Sequence, residues 1–446
     1  MKKTKKNVVV ASICTVALAA TLGACSTNQP AQTQETTPAQ EEQPADTTKA
    51  DDKATDTTKA DEKAAEDTAA PETEAGEPTP DEFGVITAAM WKDTYPEQYE
   101  TYMENQANSP EGKIDYLEEY PELKSMYEGY GFAKGYDEAA SHNYTLDSIK
   151  ATPRVNEKTL ANCITCKTPQ FTAMVNAEGE ETYTKPFADL IDQFNEPISC
   201  YNCHENDPET VTVTQQHFQR ALGEDADKAP AASEACGQCH NEYYFAPDTK
   251  YTTNPYEGLE GMGAEEILAY YDELGFSDWE HPTTGAAMLK AQHPEFETIY
   301  GASPSNMANM GYSCADCHME TTTDANGNEV SSHLLINPTE SETIMAKCQP
   351  CHEDLAGQIA DWQTQVTDRE HELAGRIAEY IELLGSKKDS LDAETLAEAQ
   401  NIHRQAQFYW DFVMVENSEG AHNPTLALEN LDKCEALLDQ GFELLK

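Results

Sequence analysis

Ten of the thirteen cysteines of this chain stand in five Cys-x-x-Cys pairs, and a histidine directly follows four of those pairs. The fifth pair, Cys163 and Cys166, is followed by Lys167 instead. Independent placement at this composition would give on the order of 0.01 Cys-x-x-Cys-His matches in the chain. The repeated unit therefore constrains the fold more than any other feature, because the chain must present the same thiol pair five times.

Each unit has the residues that a covalent haem requires. Two thiols at this spacing form thioethers with the haem vinyl groups, and the next side chain reaches the iron. Disulfides and zinc sites are the alternatives, but disulfides do not explain the following histidines and zinc needs its ligands in fours. We predict five haem c groups with His204, His240, His318 and His352 as iron ligands. The attachment residues are Cys163, Cys166, Cys200, Cys203, Cys236, Cys239, Cys314, Cys317, Cys348 and Cys351.

The amino terminus is typical of an export signal. Four lysines precede an apolar run that ends at Ala24, too short for a spanning helix, so residues 1–24 are predicted to be a signal peptide. The sequence before Cys25 resembles a bacterial lipoprotein signal, which makes Cys25 the expected lipidation site; a soluble exported protein with an incidental Cys25 is the alternative. We expect attachment to the outer face of the cytoplasmic membrane, or a periplasmic location.

Residues 25–80 form an acidic segment rich in Thr, Ala and Pro. From Ser26 to Pro80 there is no Val, Ile, Leu, Met, Phe, Tyr, Trp or Cys, so burial cannot offset the entropy of ordering this segment. We predict a disordered tether. The whole chain carries 81 Asp and Glu against 29 Lys and Arg, a formal charge of −52, which argues against nucleic acid as a partner.

Between the motifs no long strand-like alternation occurs, which predicts a mainly α fold with little sheet. We assign residues 81–354 to a haem-bearing domain and residues 355–446 to long helices. Apolar residues there recur at helical spacing, with a break expected at Gly385-Ser386 and further helices from Leu391 to Val415 and from Thr425 onward. Such a stripe suits either core packing or a dimer face.

The Lys167 motif is the unusual one. A lysine ammonium with an ordinary pKa of about 10.4 must lose its proton before its nitrogen can bind iron. An unusual proximal ligand indicates a reactive iron, whereas an iron held by protein ligands on both faces can only pass electrons. The alternative is a degenerate motif in which Lys167 is merely solvated.

These residues resemble a known family, the ammonia-forming pentahaem cytochrome c nitrite reductases, from about Trp91 to about Leu431. The likeness extends beyond haem attachment. It includes the segments Tyr130-Gly-Phe-Ala-Lys134, His142-Asn-Tyr, Cys163-Ile-Thr-Cys-Lys-Thr-Pro169, Cys236-Gly-Gln-Cys-His-Asn-Glu-Tyr-Tyr-Phe245, Lys290-Ala-Gln-His-Pro-Glu295 and Glu416-Asn-Ser-Glu-Gly-Ala-His-Asn-Pro424.

The resemblance implies a multihaem cytochrome c fold and a substrate pocket at the Lys167 haem. Arg154, Tyr243 and His293 occupy the positions of the family's pocket residues. They would orient nitrite, stabilise charge as the N–O bonds break and deliver protons. It also implies one calcium ion beside the pocket, held by the side chains of Glu242 and Gln292 and by the carbonyls of Tyr243 and Lys290. Oxygen ligands of these kinds suit a hard cation.

The family uses four further histidines on the opposite faces of the Cys-x-x-Cys-His haems. His142, His333 and His422 match three of them. Met307 stands where the fourth belongs, and methionine is an accepted axial ligand that raises the reduction potential. We predict a His/Met haem, with ligation by Met310, or an open iron, as the alternatives.

The implied activity is the six-electron reduction of nitrite to ammonium, with electrons from a membrane quinol-oxidising multihaem cytochrome. The family dimerises through long carboxy-terminal helices, so a homodimer is expected. Two other functions stay open: a multihaem reductase acting on hydroxylamine or sulfite, and an electron-transfer lipoprotein with no substrate.

Overall fold

The computed structural model describes residues 78–446. All of these residues belong to one compact unit. The predicted signal peptide, Cys25 and the tether up to residue 77 lie outside the described residues. Within 78–446, no helix combines the length and the apolar character that a bilayer crossing requires.

Helices dominate this part of the chain, which confirms the mainly α prediction. The α-helices are α1 Ala88–Trp91, α2 Pro96–Glu104, α3 Tyr116–Glu119, α4 Leu123–Met126, α5 Thr145–Ala151, α6 Pro169–Glu178, α7 Phe187–Leu190, α8 Cys200–His204, α9 Gln216–Leu222, α10 Ala231–Gly237, α11 Ala264–Leu274, α12 Glu295–Tyr300, α13 Asn306–Asn309, α14 Cys314–His318, α15 Glu342–Cys348, α16 Leu355–Lys387, α17 Ala393–Met414 and α18 Pro424–Leu444. Short 3₁₀ helices cover Asn105–Ala107, Gly131–Lys134, His142–Tyr144, Ala161–Ile164, Glu180–Thr184, Ile191–Gln193, Gly223–Asp225, Leu259–Gly261, Pro338–Glu340 and Lys388–Ser390.

The strands make three small antiparallel sheets of two strands each. They are β1 Tyr244–Phe245 with β2 Thr252–Thr253, β3 Trp279–Glu280 with β4 Ala287–Met288, and β5 Met319–Thr323 with β6 Glu329–Leu335. The β5–β6 hairpin follows the Cys314 motif directly, and its register pairs Met319 with Leu335. It lies against α2, where the Thr101 hydroxyl accepts from the backbone N–H of His333 at 2.9 Å.

The Cys-x-x-Cys-His segments adopt helical turns, and this places their reactive atoms together. In α14 the hydroxyl of Ser313 accepts from the Asp316 N–H, and the Asp316 carboxylate accepts from the Ser313 N–H at 2.7 Å. This capping box satisfies backbone donors that would otherwise be unpaired at the helix start. Residues at positions i, i+3 and i+4 then share one helix face, so Cys314, Cys317 and His318 lie on the same side.

The three long carboxy-terminal helices pack against one another. The apolar stripe of α16 is half-buried at Ile359 and becomes buried further along, at Leu373, Ile377 and Leu384. Arg369 of α16 adds ion pairs to α18, at 2.8 Å to both Asp432 and Glu435. Partly exposed pairs of this kind contribute little singly, so the apolar face supplies most of the stability.

The expected helix break at Gly385-Ser386 is wrong by two residues, because α16 continues to Lys387. A β-carbon at position 385 would come 2.6 Å from the Thr283 Cγ2 atom. The glycine therefore allows close packing of the helix against the Thr283 segment and does not end the helix. The next helix, α17, begins and ends within two residues of the predicted bounds, and α18 begins one residue before the predicted Thr425.

Gly441 of α18 gives a test of this packing. A β-carbon there would come 2.6 Å from the Tyr380 Cε2 atom, so Gly441→Ala should destabilise the haem-loaded protein by about 1–3 kcal/mol despite the better helix propensity of alanine. Gly375→Ala is the matched control, because no atom lies within 4 Å of the position that its methyl group would take. Denaturant unfolding should show Gly375→Ala unchanged or more stable by up to about 1 kcal/mol; equal effects would contradict the packing argument.

Candidate functional site

The Cys163–Lys167 segment forms a tight turn rather than the start of a helix. A 3₁₀ helix ends at Ile164, Cys166 takes a positive φ of 61°, and α6 begins only at Pro169. The Thr145 hydroxyl donates to the Lys167 carbonyl at 2.8 Å and anchors the turn. Within residues 78–446, no hydrogen bond or ion pair engages the Lys167 amine, which leaves its nitrogen available as a ligand.

Arg154 is held rigidly beside this turn. Its Nη1 donates to the Gly135 carbonyl at 3.0 Å, and its guanidinium lies 4.3 Å from the centre of the Phe132 ring. A stacked and hydrogen-bonded guanidinium has few alternative orientations. Burial raises the pKa values of the Cys163 thiol and the Tyr243 hydroxyl, and the positive charge of Arg154 opposes both shifts.

His293 completes the predicted pocket. Its Nδ1 is shielded from solvent and has no hydrogen-bond partner among the described residues. Burial lowers the pKa of His293 to about 4, with nearby Lys167 adding to the effect. Tyr243 is half-buried, and burial followed by the nearby Cys166 and Cys163 raises its pKa. The charge of Arg154 acts on the pKa of Tyr243 and that of Lys167 on the pKa of His293, so these four side chains lie in one region of the fold, with the positive charge that an anion-binding site requires.

A second buried cation lies beside Arg154. The Lys290 ammonium is 5.0 Å from the centre of the Phe132 ring, on which Arg154 also stacks, and 3.3 Å from the Asp411 carboxylate. The Ala291 carbonyl also accepts from it, at 2.6 Å. Sequence reasoning used only the carbonyl of Lys290 and missed this side chain, because the contact with Asp411 joins residues 121 positions apart in the sequence.

The motif cysteines form no disulfide among the described residues. The same part of the chain contains no cluster of three or more His, Cys, Asp or Glu side chains that could hold a metal. Different motifs do contact each other. The Cys166 thiol donates to the Gln238 carbonyl inside the third motif at 3.8 Å, and the Cys314 N–H donates at 3.1 Å to the Ser233 hydroxyl of α10, the helix that carries Cys236. The first, third and fourth motifs are thus neighbours.

Six histidines form three facing pairs. Two imidazoles on opposite sides of one metal, with nitrogens about 2 Å from it, have ring centres roughly 6.4 Å apart. The observed separations are 6.2 Å for His204 and His333, 6.3 Å for His142 and His240, and 6.0 Å for His318 and His422. Each pair joins one motif histidine to one of the predicted distal histidines, and the spacing fits a haem iron.

His293 also lies 6.4 Å from His240, so two imidazoles stand at this separation from the His240 ring. The Glu295 carboxylate is 3.6 Å from His240 Nδ1. The family resemblance assigns His142 as the ligand opposite His240 and His293 to the substrate pocket.

Most of these rings have Nδ1 engaged, which leaves Nε2 for a metal, as is usual for histidine ligands. The partners are the Thr210 carbonyl for His204 at 2.6 Å, the Ile336 carbonyl for His318 at 2.9 Å, the Ser331 carbonyl for His333 at 3.1 Å, the Gln358 amide oxygen for His352 at 3.2 Å and the Glu416 carboxylate for His422 at 2.5 Å. Sequence reasoning did not identify Glu416, although it lies in one of the quoted segments; a carboxylate six residues before a ligand histidine was the available signal.

Met307 lies in α13, a single turn capped by the Ser305 hydroxyl at 3.2 Å from the Ala308 N–H. Its side chain is half-buried, whereas Met310 is 62% exposed. Among the described residues His352 is the motif histidine that faces no other imidazole at the separation of the three pairs.

The predicted calcium residues are brought together. The Glu242 carboxylate accepts from the Gln292 N–H at 2.5 Å and from the Tyr271 hydroxyl at 2.9 Å, and the Gln292 amide donates to the Lys290 carbonyl at 2.9 Å. Burial raises the pKa of Glu242 well above its usual value and that of nearby Glu297 to about 8. Buried carboxylates of this kind fit a cation that would hold them ionised. Binding would require the Gln292 amide to turn its oxygen inward.

Four histidines were not assigned a role from the sequence. The rings of His281 and His403 lie 5.1 Å apart in the core. His281 contacts the Ser125 carbonyl at 2.8 Å, and His403 contacts the Thr284 hydroxyl at 3.1 Å. His371 stacks on Tyr120. His217 is buried beside Asn254, at 2.9 Å, with its Nε2 unpartnered among the described residues.

Comparison with known proteins agrees with this geometry. Residues 87–442 match the family described as Cytochrome c552. The cytochrome c nitrite reductase subunit NrfA of Nitratidesulfovibrio vulgaris is 30% identical over 423 residues, which cover 80% of this chain and 78% of that protein. Cytochrome c-552 of Bacteroides thetaiotaomicron is 31% identical over 363 residues, covering 75% and 71%.

A solved cytochrome c nitrite reductase from Desulfovibrio desulfuricans, reported with two calcium sites, superimposes with a TM-score of 0.73 at 25% identity. The match covers 80% of this chain and 86% of that one. The haem-motif pattern, the helical architecture and the extent of these matches agree, and the chain belongs to the cytochrome c552 family of multihaem c-type cytochromes.

Proposed function

We propose that this protein reduces nitrite to ammonium, with Lys167 as the proximal ligand of the reactive haem. The observation that carries the proposal is that Lys167, Arg154, Tyr243 and His293 lie in one region, where the two cations act on the pKa values of the other two side chains. Its relatives include proteins named cytochrome c nitrite reductase. The balanced reaction takes up one nitrite, eight protons and six electrons and yields one ammonium and two waters.

The ten motif cysteines would bind five haem c groups. When bound, these haems would relay electrons from the donor, and the Lys167 haem would supply the iron at which nitrite is reduced. The contacts of Cys166 with Gln238 and of Cys314 with Ser233 support a relay, because they place the first, third and fourth motifs side by side. Six electrons are needed in succession, so neighbouring motifs suit the reaction.

The pocket residues have separate roles in this proposal. Arg154 binds the anionic substrate and stabilises negative charge as the N–O bonds weaken, because its guanidinium is already oriented by Phe132 and Gly135. His293 and Tyr243 donate hydrogen bonds to the nitrite oxygens. Lys290, buried behind the same ring, adds positive potential in a protein whose overall charge repels anions.

The facing histidine pairs support bis-histidine ligation of three haems, by His204 with His333, His240 with His142, and His318 with His422. This leaves Met307 as the proposed partner of His352. We further propose one calcium ion at Glu242, Tyr243, Lys290 and Gln292, which would hold the loop carrying His293 in place.

We also propose a quinol-oxidising membrane cytochrome as the electron donor, a homodimer formed through α16–α18, and lipid attachment at Cys25 on the outer face of the cytoplasmic membrane. The lipoprotein-like start of the sequence supports lipid attachment, the long carboxy-terminal helices support the homodimer, and the family resemblance supports the electron donor.

Nitrite reduction is tested with the purified haem-loaded protein and a viologen donor. We expect one ammonium for each nitrite consumed. Arg154→Gln should lower kcat/KM about 10²–10³-fold, because it removes one charge that stabilises the transition state. Arg220→Gln is the matched control, since Arg220 is an exposed residue paired with Glu180. No ammonium, with rapid turnover of hydroxylamine or sulfite, would contradict nitrite as the substrate; no turnover of any acceptor would favour electron transfer alone.

The Met307 ligand is tested by two substitutions followed by redox titration of the loaded protein. Met307→His should lower the reduction potential of one haem, because imidazole replaces a thioether. Met307→Ala should let that iron bind carbon monoxide when reduced. Met310→Ala, at an exposed position, should change neither property; an effect of Met310→Ala alone would identify the other methionine as the ligand.

Calcium is tested by Glu242→Gln. We expect loss of bound calcium in elemental analysis and a fall of about 10–100-fold in nitrite turnover, because the pocket loop loses its anchor. Glu273→Gln, an exposed residue on the same α11 that carries Tyr271, should retain both. Full calcium content in Glu242→Gln would place the ion elsewhere.

A further inference from the structure

The ligand-type histidines differ in what holds Nδ1. His204, His318 and His333 each use a backbone carbonyl, and His352 uses an amide oxygen. Among the described residues, His422 is the one whose Nδ1 lies within hydrogen-bonding distance of a carboxylate, that of Glu416 at 2.5 Å. The Glu295 carboxylate near His240 is further away, at 3.6 Å.

Glu416 is built into this position. It lies between α17 and α18, and its side chain is 3% exposed. One carboxylate oxygen faces His422, and the other accepts from the Ser418 hydroxyl at 2.5 Å. The Ser418 oxygen in turn accepts from the backbone N–H of His422 at 2.9 Å. Within residues 78–446 no lysine or arginine forms an ion pair with Glu416. The hydrogen bonds from the imidazole and the hydroxyl therefore offset the cost of burying its negative charge.

A carboxylate that accepts a hydrogen bond from one nitrogen of an imidazole changes the reduction potential of an iron bound to the other nitrogen. A charge-assisted hydrogen bond from Nδ1–H to a carboxylate is stronger than one to a neutral carbonyl. It gives the ring partial anionic character and makes Nε2 a better electron donor. A stronger donor stabilises ferric over ferrous iron, so the reduction potential falls.

We propose that Glu416 is a positioning residue that lowers the reduction potential of the haem held by His318 and His422, making it the most reducing of the three bis-histidine haems. The inference rests on the ligand pairs in the proposed function but not on the identity of the substrate. The step concerned is the gain of one electron by ferric iron to give ferrous iron.

This difference in reduction potential would favour electron transfer in one direction. The Cys314 N–H of this haem motif donates to Ser233 of α10, which leads into the His240 motif, and the Cys166 thiol donates to the Gln238 carbonyl within that same motif. An electron on the His318 haem would therefore move to a more oxidising neighbour on the way to the Lys167 pocket.

The test is a potentiometric titration of the fully loaded holoenzyme, followed by electron paramagnetic resonance so that the low-spin haems are counted separately. Glu416→Gln keeps the size and an oxygen acceptor but removes the charge. We expect the ferric–ferrous equilibrium of one bis-histidine haem to move at least tenfold toward ferrous, about 59 mV for one electron, with the others unchanged.

Glu419→Gln is the matched control. It removes the same charge from an exposed side chain in the same loop, three residues away, and should leave every haem within the error of the wild type. Equal shifts in both variants would overturn the inference, because a general charge effect would then explain them. No shift in Glu416→Gln would overturn it as well.

Ser418→Ala provides an independent test if the Glu416→Gln variant binds haem incompletely. Removing the hydroxyl leaves the carboxylate with His422 as its one donor, so the same haem should become harder to reduce. A shift toward easier reduction, or none, would overturn the inference. Loss of nitrite turnover with the expected shifts intact would contradict the proposed function alone.

Discussion

The orientation of imidazole rings is the constraint on which the rest of this structure depends. An iron held on two faces requires two rings at one separation, and the three facing pairs lie at 6.0–6.3 Å although their members come from distant parts of the chain. Each ring that has its Nδ1 occupied can turn only one nitrogen toward a metal. The short helices, the hairpin and the long carboxy-terminal helices can be understood as supports for those rings.

The sequence predicted the parts of this arrangement that are local. Haem attachment follows from five residues in a row, and the helical class follows from apolar spacing along α16. The predicted starts of α17 and α18 were also close to the observed ones, because Asp392 and Asn423 are residues of the kind that cap the start of a helix. Gly385 was misinterpreted, because a glycine that ends a helix and one that permits close packing look alike in a sequence.

The candidate site could be predicted only in part. Likeness to a family supplied Arg154, Tyr243 and His293, but composition and spacing alone would not have separated them from ordinary core or surface residues. The groups that were missed act over long sequence distances: Phe132 beneath Arg154, and Asp411 beside Lys290. Such partners are set by tertiary packing, which no local pattern records.

The β5–β6 hairpin has one more consequence. His318 precedes β5 directly and faces His422, whereas His333 stands within β6 and faces His204. One two-stranded ladder therefore carries the proposed ligands of two different irons. Tunnelling rates fall steeply with the gap between donor and acceptor, and the pairing of these two strands would help to set that gap. Movement elsewhere in the chain would then have little effect on the rate of electron transfer between these two haems.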